Sequence, residues 1–333
     1  MRLKTKTLVV GPLIAGLASF GVVGASSGSA SPVSVVGYST ISNAYTALEA
    51  AFEKTSAGSG VTFTNSFGAS GTQAQDVVAG LPADIVNFSL IPDMNKVVNA
   101  GIVSHNWQKN SSSATEDGFV ADSTVVLVVR QGNPLGITGW GSLTHAGVKI
   151  VTPDPISSGS AKWNLLAAYE YKILLGDKTG VAHSFLNALV ANVVSEPSSG
   201  SKALTEFLSG TGNVLLAYES DAKEALAGGA PIQIIYPTQN ILIQTPAALT
   251  KSGQNSPDAV AFFKYMFSTA GQRILVQQGY RSTLPKTKLN VAFYTPAKLV
   301  TIAQMGGWSK VWAQFFTSDG LFSRIESAHG YTS

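Results

Sequence analysis

The chain has 333 residues, with 22 Lys plus Arg against 19 Asp plus Glu and no cysteine. Three of the basic residues, Arg2, Lys4 and Lys6, lie at the extreme N-terminus, so the rest is formally neutral and lacks the net basic surface that a nucleic-acid partner requires. Disulfides and a lipid-modified cysteine anchor are excluded, the fold must rest on core burial, and the length suits two lobes.

Residues 1–30 read as a signal peptide: the basic start, an apolar Gly-rich run over 8–25, and Gly28-Ser29-Ala30 as a small-x-small cleavage site after Ala30. The main body is expected outside the cytoplasm, periplasmic or secreted, and an uncleaved N-terminal anchor is the alternative. Residues 33–36 then read as a strand, followed by Ser39, Thr40 and Ser42 and a helix carrying Ala44, Leu48, Ala51 and Phe52 at helical period. Residues 61–63 are a second short strand; Gly68, Ser70, Gly71 and Thr72 precede a helix through Val77 and Val78. A strand over 84–90, a helix over 92–100 and a polar, Gly-containing segment follow. The run 124–130 is apolar throughout, as in a strand buried on both faces.

Residues 148–152 form a β-branched strand ended by Pro153 and Pro155. Ser157, Ser158, Gly159 and Ser160 then stand where a helix bearing Leu165, Leu166, Tyr169 and Ile173 begins. A strand over 192–195 leads to a fourth small-residue turn at 197–202 and a helix over 203–209; 213–218 is a strand and 219–227 a helix. Strands at 233–236 and 241–243 bracket residues 237–240, and two helices span 257–267 and 270–278. The aromatic tail over 299–325 is expected to pack over the first lobe. Chain crossings between lobes are placed near 114–123 and at 237–240, giving one lobe of 31–118 and 241–333 and another of 119–240.

Alternating strands and helices make an α/β fold with mainly parallel sheets, in which ligands gather at the carboxyl ends of strands. Each polar turn aims free backbone N–H groups and hydroxyls from a helix start, a combination that suits an anion. Any one such turn is ordinary capping chemistry; four of them, two per lobe, fit a cleft with donors on both walls.

Catalysis is unsupported. His105, His145, His183 and His329 are scattered, the G-x-S-x-G string at 24–28 falls in the leader, and no phosphate loop, dinucleotide fingerprint, zinc spacing or calcium loop occurs. Asp84, Asp154, Glu196 and Glu219 show no catalytic pairing. No catalytic residue, metal ligand or cofactor is assigned.

The segments PDPISSGSAKWNLLAA, SFGASGTQAQDVVAGLPADIV, STVVLVVRQGNP, GNVLLAYESDA, TQNILIQTP and QMGGWSKVW closely resemble, in the same order, the bacterial sulfate- and thiosulfate-binding proteins, the exported receptors of ABC transporters. The resemblance covers about residues 33–325. It implies a type II periplasmic-binding-protein fold of two α/β lobes with two crossings, acting as a monomer that closes on a dehydrated oxyanion and delivers it to a membrane permease. It also implies a site of neutral donors, since a fully ionised oxyanion has no proton to give a carboxylate.

Carried over by position, Ser39, Ser70, Ser158, Gly159, Ser160, Gly200 and Tyr218 are the ligand-binding candidates. Ser39 stands where the family has Asp, Ser160 where it has Gly, and Tyr218 where it has a Trp that donates its indole N–H; Ser199 is the alternative to Gly200. Two other readings stay open. One is a receptor for molybdate, tungstate or phosphate, the last favoured if a carboxylate such as Asp154 or Glu219 points into the cleft. The other is a secreted hydrolase of sulfate or phosphate esters on the same fold.

Overall fold

The computed structural model describes residues 31–110, 118–285, 289 and 292–331, so the expected leader lies outside the described residues. Strand β1 (Val33–Tyr38) pairs in parallel with β2 (Phe63–Gly68) on one side and β3 (Ile85–Asn87) on the other. Each leads into a helix: β1 through a 3-10 turn at Ser39–Ile41 into α1 (Ser42–Phe52), β2 into α2 (Ser70–Val78), and β3 into α3 (Ile91–Asn99). The apolar residues Leu48 and Phe52 of α1 are buried as their spacing predicts.

Strand β4 (Phe119–Arg130) is longer than its apolar run. A second parallel set follows: β5 (Ile150–Val151), β6 (Val193–Ser195) and β7 (Val214–Tyr218), with β5 between the other two. After β5 come α4 (Gly159–Leu175) and α5 (Thr179–Val190), after β6 comes α6 (Gly200–Leu208), and after β7 comes α7 (Glu219–Ala227). Strands β8 (Ile232–Ile235) and β9 (Gln239–Leu249) precede α8 (Pro257–Met266) and α9 (Thr269–Gln277), which pack on α1.

The two parallel sets belong to one sheet because β9 joins the first set at β3, β4 joins the second at β7, and β4 and β9 pair with each other. The first half of β4 pairs antiparallel with β9 and its second half with β7 and β8, while the end of β9 pairs with β3. Among the described residues, every antiparallel ladder between named strands involves one of these two strands, and the remaining pairs are parallel. The polar residues that give 114–123 and 237–240 the look of linkers include ladder members: Asp122 lies opposite Gln244 and Gln239 opposite Lys298. Residues 111–117 lie outside the described residues.

The tail corrects an expectation. Strand β10 (Lys298–Val300) joins the sheet at β9, but α10 (Trp308–Phe315) and α11 (Leu321–Ala328) pack on α4 and α5 rather than over the first strand set. Trp308 meets Trp163 edge-on at 5.1 Å and Phe315 meets Tyr169 at 4.9 Å. Covered by β9 on one flank and the tail on another, α4 is buried at every residue from Gly159 to Glu170. Its polar side chains are therefore bonded inside: Asn164 Nδ2 donates to Thr152 Oγ1 and Leu216 O, each at 3.1 Å, and Trp163 Nε1 to Ser89 O at 2.9 Å.

Candidate functional site

Six polar segments directly follow parallel strands, and they meet where the carboxyl ends of the two sets face each other: the Ser39 turn after β1, the start of α2 after β2, Ser89 after β3, and the starts of α4, α6 and α7 after β5, β6 and β7. The N-cap residues of the 3-10 turn, α2, α4 and α7 are Tyr38, Ala69, Ser158 and Tyr218, none of which caps its own helix with a side chain. Their first N–H groups, which have no preceding turn to bond, are thus aimed at one place, except Gly71 N–H, which is taken by Ser157 O.

Contacts across the junction are close. A Cβ on Gly159 would lie 2.4 Å from Ser89 Cβ, and one on Gly200 would lie 2.6 Å from Thr40 Cγ2 and 2.9 Å from Ser160 Oγ. Gly71 N–H donates to Ser157 O at 3.1 Å. Ser158 and Ser160 share a hydroxyl–hydroxyl bond of 2.9 Å, and Ser201 N–H points to Ser39 Oγ at 3.4 Å. Tyr218, wholly buried, bonds Ser89 Oγ through its hydroxyl at 2.7 Å. Ser70 Oγ donates to Asp93 Oδ2 at 2.7 Å and accepts from Ser89 N–H at 3.0 Å, so its hydroxyl is already engaged. The candidates Ser39, Ser70, Ser158, Gly159, Ser160, Gly200 and Tyr218 are brought together, and all are uncharged.

Helix α6 begins at Gly200, three residues before its apolar period becomes legible, with Ser199 as N-cap accepting from Lys202 N–H at 3.4 Å. Gly200 is therefore the first helical residue, while the Ser199 hydroxyl is committed to the cap. Beside the junction a cavity of about 440 Å3 opens between Ser39, Gly68, Ala69, Thr72, Ser199 and Lys202.

Three carboxyls decide the electrostatics. Asp154 accepts from Ile156 N–H and the Ser157 hydroxyl, both at 2.7 Å, which ties it to its own loop. Glu219 is wholly buried against Arg281, with Arg281 Nη2 at 2.7 Å and Lys223 Nζ at 3.3 Å. Both acids are committed elsewhere. The acid that sequence reading missed is Asp221, buried in the first turn of α7 beside Thr40, Ser220 and the Tyr218 N–H. Burial raises its pKa well above the usual carboxylate range, and those hydrogen bonds offset this only in part. Ser89 was missed as well, because the sequence reads as strand to residue 90 whereas β3 stops at Asn87.

Among the described residues no three His, Cys, Asp or Glu side chains gather to hold a metal ion. The Ser158 and Ser160 hydroxyls bond each other rather than a base. Such an array can envelop a small anion with dipoles.

A family model of bacterial extracellular solute-binding proteins matches residues 33–281. The chain belongs to this family. A sulfate-binding protein of Synechococcus elongatus is 33% identical over 91% of this chain and 89% of its own length. A thiosulfate-binding protein of Pseudomonas aeruginosa is 29% identical over 95% of this chain and 97% of its own. Among solved structures, the sulfate-binding protein SubI of Mycobacterium tuberculosis H37Rv superposes with a TM-score of 0.81 at 38% identity, covering 86% of this chain and 100% of that one. This solute-binding protein therefore has the type II periplasmic-binding architecture and the family that its sequence motifs imply.

Proposed function

We propose that this protein captures sulfate or thiosulfate between two lobes, residues 31–118 with 241–333 and residues 119–240, and delivers it as a monomer to the permease of an ABC transporter. It is exported, with the leader removed after Ala30. The observation that carries the reading is the meeting of uncapped helix starts from both strand sets with only uncharged candidates between them. Such donors suit a dianion that brings no proton of its own. The names of the relatives agree with the choice of anion. Closure engages the permease by shifting the balance of open and closed forms.

The test is calorimetry on protein stripped of ligand by unfolding and refolding. Sulfate and thiosulfate are expected to bind; no heat at about millimolar concentration, a binding energy of only about 4 kcal/mol, overturns the reading.

One observation favours a second reading. Asp221 places a buried carboxyl beside Thr40 and Tyr218; burial favours its protonated form, whose remaining oxygen lone pairs can accept the proton that hydrogen phosphate retains. If phosphate is the ligand, Asp221→Leu abolishes its binding; if sulfate is, Asp221→Leu leaves sulfate bound.

A further inference from the structure

Behind the loop that leads into α4, the tail helices close over a cavity of about 360 Å3. Ile156, Trp312, Phe316 and Phe322 give it an apolar, largely aromatic wall. Lys96 of α3, Lys162 of α4 and Glu326 of α11 also face it.

Lys162 is only 5% exposed, yet its Nζ makes one hydrogen bond, to Ile156 O at 3.2 Å. Otherwise it faces the rings of Trp312 and Phe316 at 5.8 and 5.9 Å. An ammonium has three N–H groups to place, and a buried charge short of partners is costly. Glu326 is 6% exposed, and its carboxyl meets that of Glu196 with no cation bonded to it. Lys96 is tied to Asp93 at 2.9 Å but adds a second positive charge to the wall. A buried ammonium short of partners and a buried carboxyl whose neighbour is another acid therefore share one apolar cavity, within the size range of small-molecule sites.

We propose that this cavity binds a small organic acid with an apolar body and a hydrogen-bond donor at its far end, its carboxylate on Lys162 and its donor on Glu326. With Lys96 paired to Asp93, Lys162 is the cation of this wall that has no carboxylate bonded to it, which favours an anion over an organic cation. The aromatic wall favours a ring over a bare inorganic ion, which separates this site from the oxyanion cleft. The proposal does not rest on the oxyanion reading.

Calorimetry on the whole chain in saturating sulfate tests it, with 4-hydroxyphenylacetate and phenylacetate as probes. Both are expected to bind at one site, the hydroxylated acid more tightly. Lys162→Met weakens both by about tenfold or more, the worth of a charge-assisted hydrogen bond. Glu326→Leu removes the preference for the hydroxylated probe, and Ser323→Trp, which fills the cavity from its wall, abolishes binding. If Lys162→Met fails to fold, the other two variants still decide. No heat from the unaltered protein at about millimolar probe overturns the proposal. So does binding that Ser323→Trp leaves unchanged, or binding that sulfate displaces.

Discussion

The hydroxyls of Ser89 and Tyr218 lie 2.7 Å apart and join the ends of β3 and β7, one from each parallel strand set. Both side chains are fully buried. Whichever hydroxyl donates, the other keeps a proton for a third partner, and a bound anion is the partner the proposed site supplies. Tyr218→Phe removes the bond and that donor together. Sulfate affinity is expected to fall by about tenfold or more, since a hydrogen bond to a charged group is worth about 1.5–3 kcal/mol. Tyr218→Trp, which restores a ring N–H, should bind better than the Phe variant. Equal affinity of the Phe variant and the unaltered protein in calorimetry limits Tyr218 to a structural role.

Gly159 tests closure separately from folding. The added methyl of Gly159→Ala meets Ser89 at 2.4 Å, a contact between the two strand sets. The N-terminal turn of α4 itself accepts alanine without backbone strain, because Gly159 is not among the residues with positive φ. In the proposed open form the walls separate and the clash is relieved. Overpacking of this kind costs about 1–3 kcal/mol, so binding is expected to weaken by about tenfold to a hundredfold while the melting temperature without ligand stays within a few degrees. A large fall in that temperature shows instead that the contact is needed for folding.

Much of the site is legible because its signal is local. In residues 148–160 a β-branched run, two prolines and a small-residue turn are adjacent, and strand, loop and helix start follow at once. What depends on distant partners is not legible. Trp308 reads as part of an aromatic tail until its partner Trp163 is known, 145 positions earlier by number. Asp221 sits in a stretch that looks like any solvated helix start, and only Thr40 and the tyrosines around it reveal its burial. The lengths of β4 and β9 were hidden by Asp122 and Gln244, which are tolerated in strands because they face each other in a ladder. Glu196 shows no pairing by spacing, yet meets Glu326 across the fold.

Serines in the site divide by which atom matters. Ser70 Oγ serves the buried Asp93 carboxylate and the Ser89 N–H at once. Ser70→Ala leaves both without that partner, so a loss of about 1–3 kcal/mol in folding stability is expected, read by urea unfolding of ligand-free protein. Ser39→Ala removes only a long 3.4 Å contact from Ser201 N–H and keeps the backbone donor. Stability is then expected to change by less than about 0.5 kcal/mol, and sulfate affinity by less than threefold or so. A large affinity loss in Ser39→Ala assigns the ligand contact to the hydroxyl instead.

The pair Glu196 and Glu326 predicts how stability varies with pH. Burial, then the facing Glu326 and Asp154, push Glu196 up to about 9; burial and Asp154 push Glu326 up to about 7 against the hydrogen bond from Glu196, which lowers it. Tyr331 lines the space beside both acids, and Lys96 and Lys162 face Glu326 from its other side across the aromatic cavity. Each acid thus holds a proton in the folded protein that the unfolded chain gives up near pH 4.3 or so. Its favourable contribution is complete below that pH and is lost as pH rises through about 7 and then about 9. Lys162, lowered to about 8 by burial, acts in the opposite direction above that pH, so the test compares a variant with the unaltered protein. Glu326→Gln keeps an acceptor for the Glu196 proton but carries no charge. Thermal melts from about pH 5 to about pH 9 should therefore fall less steeply in Glu326→Gln than in the unaltered chain. Parallel pH profiles mean that the two carboxyls do not share a proton in the folded protein.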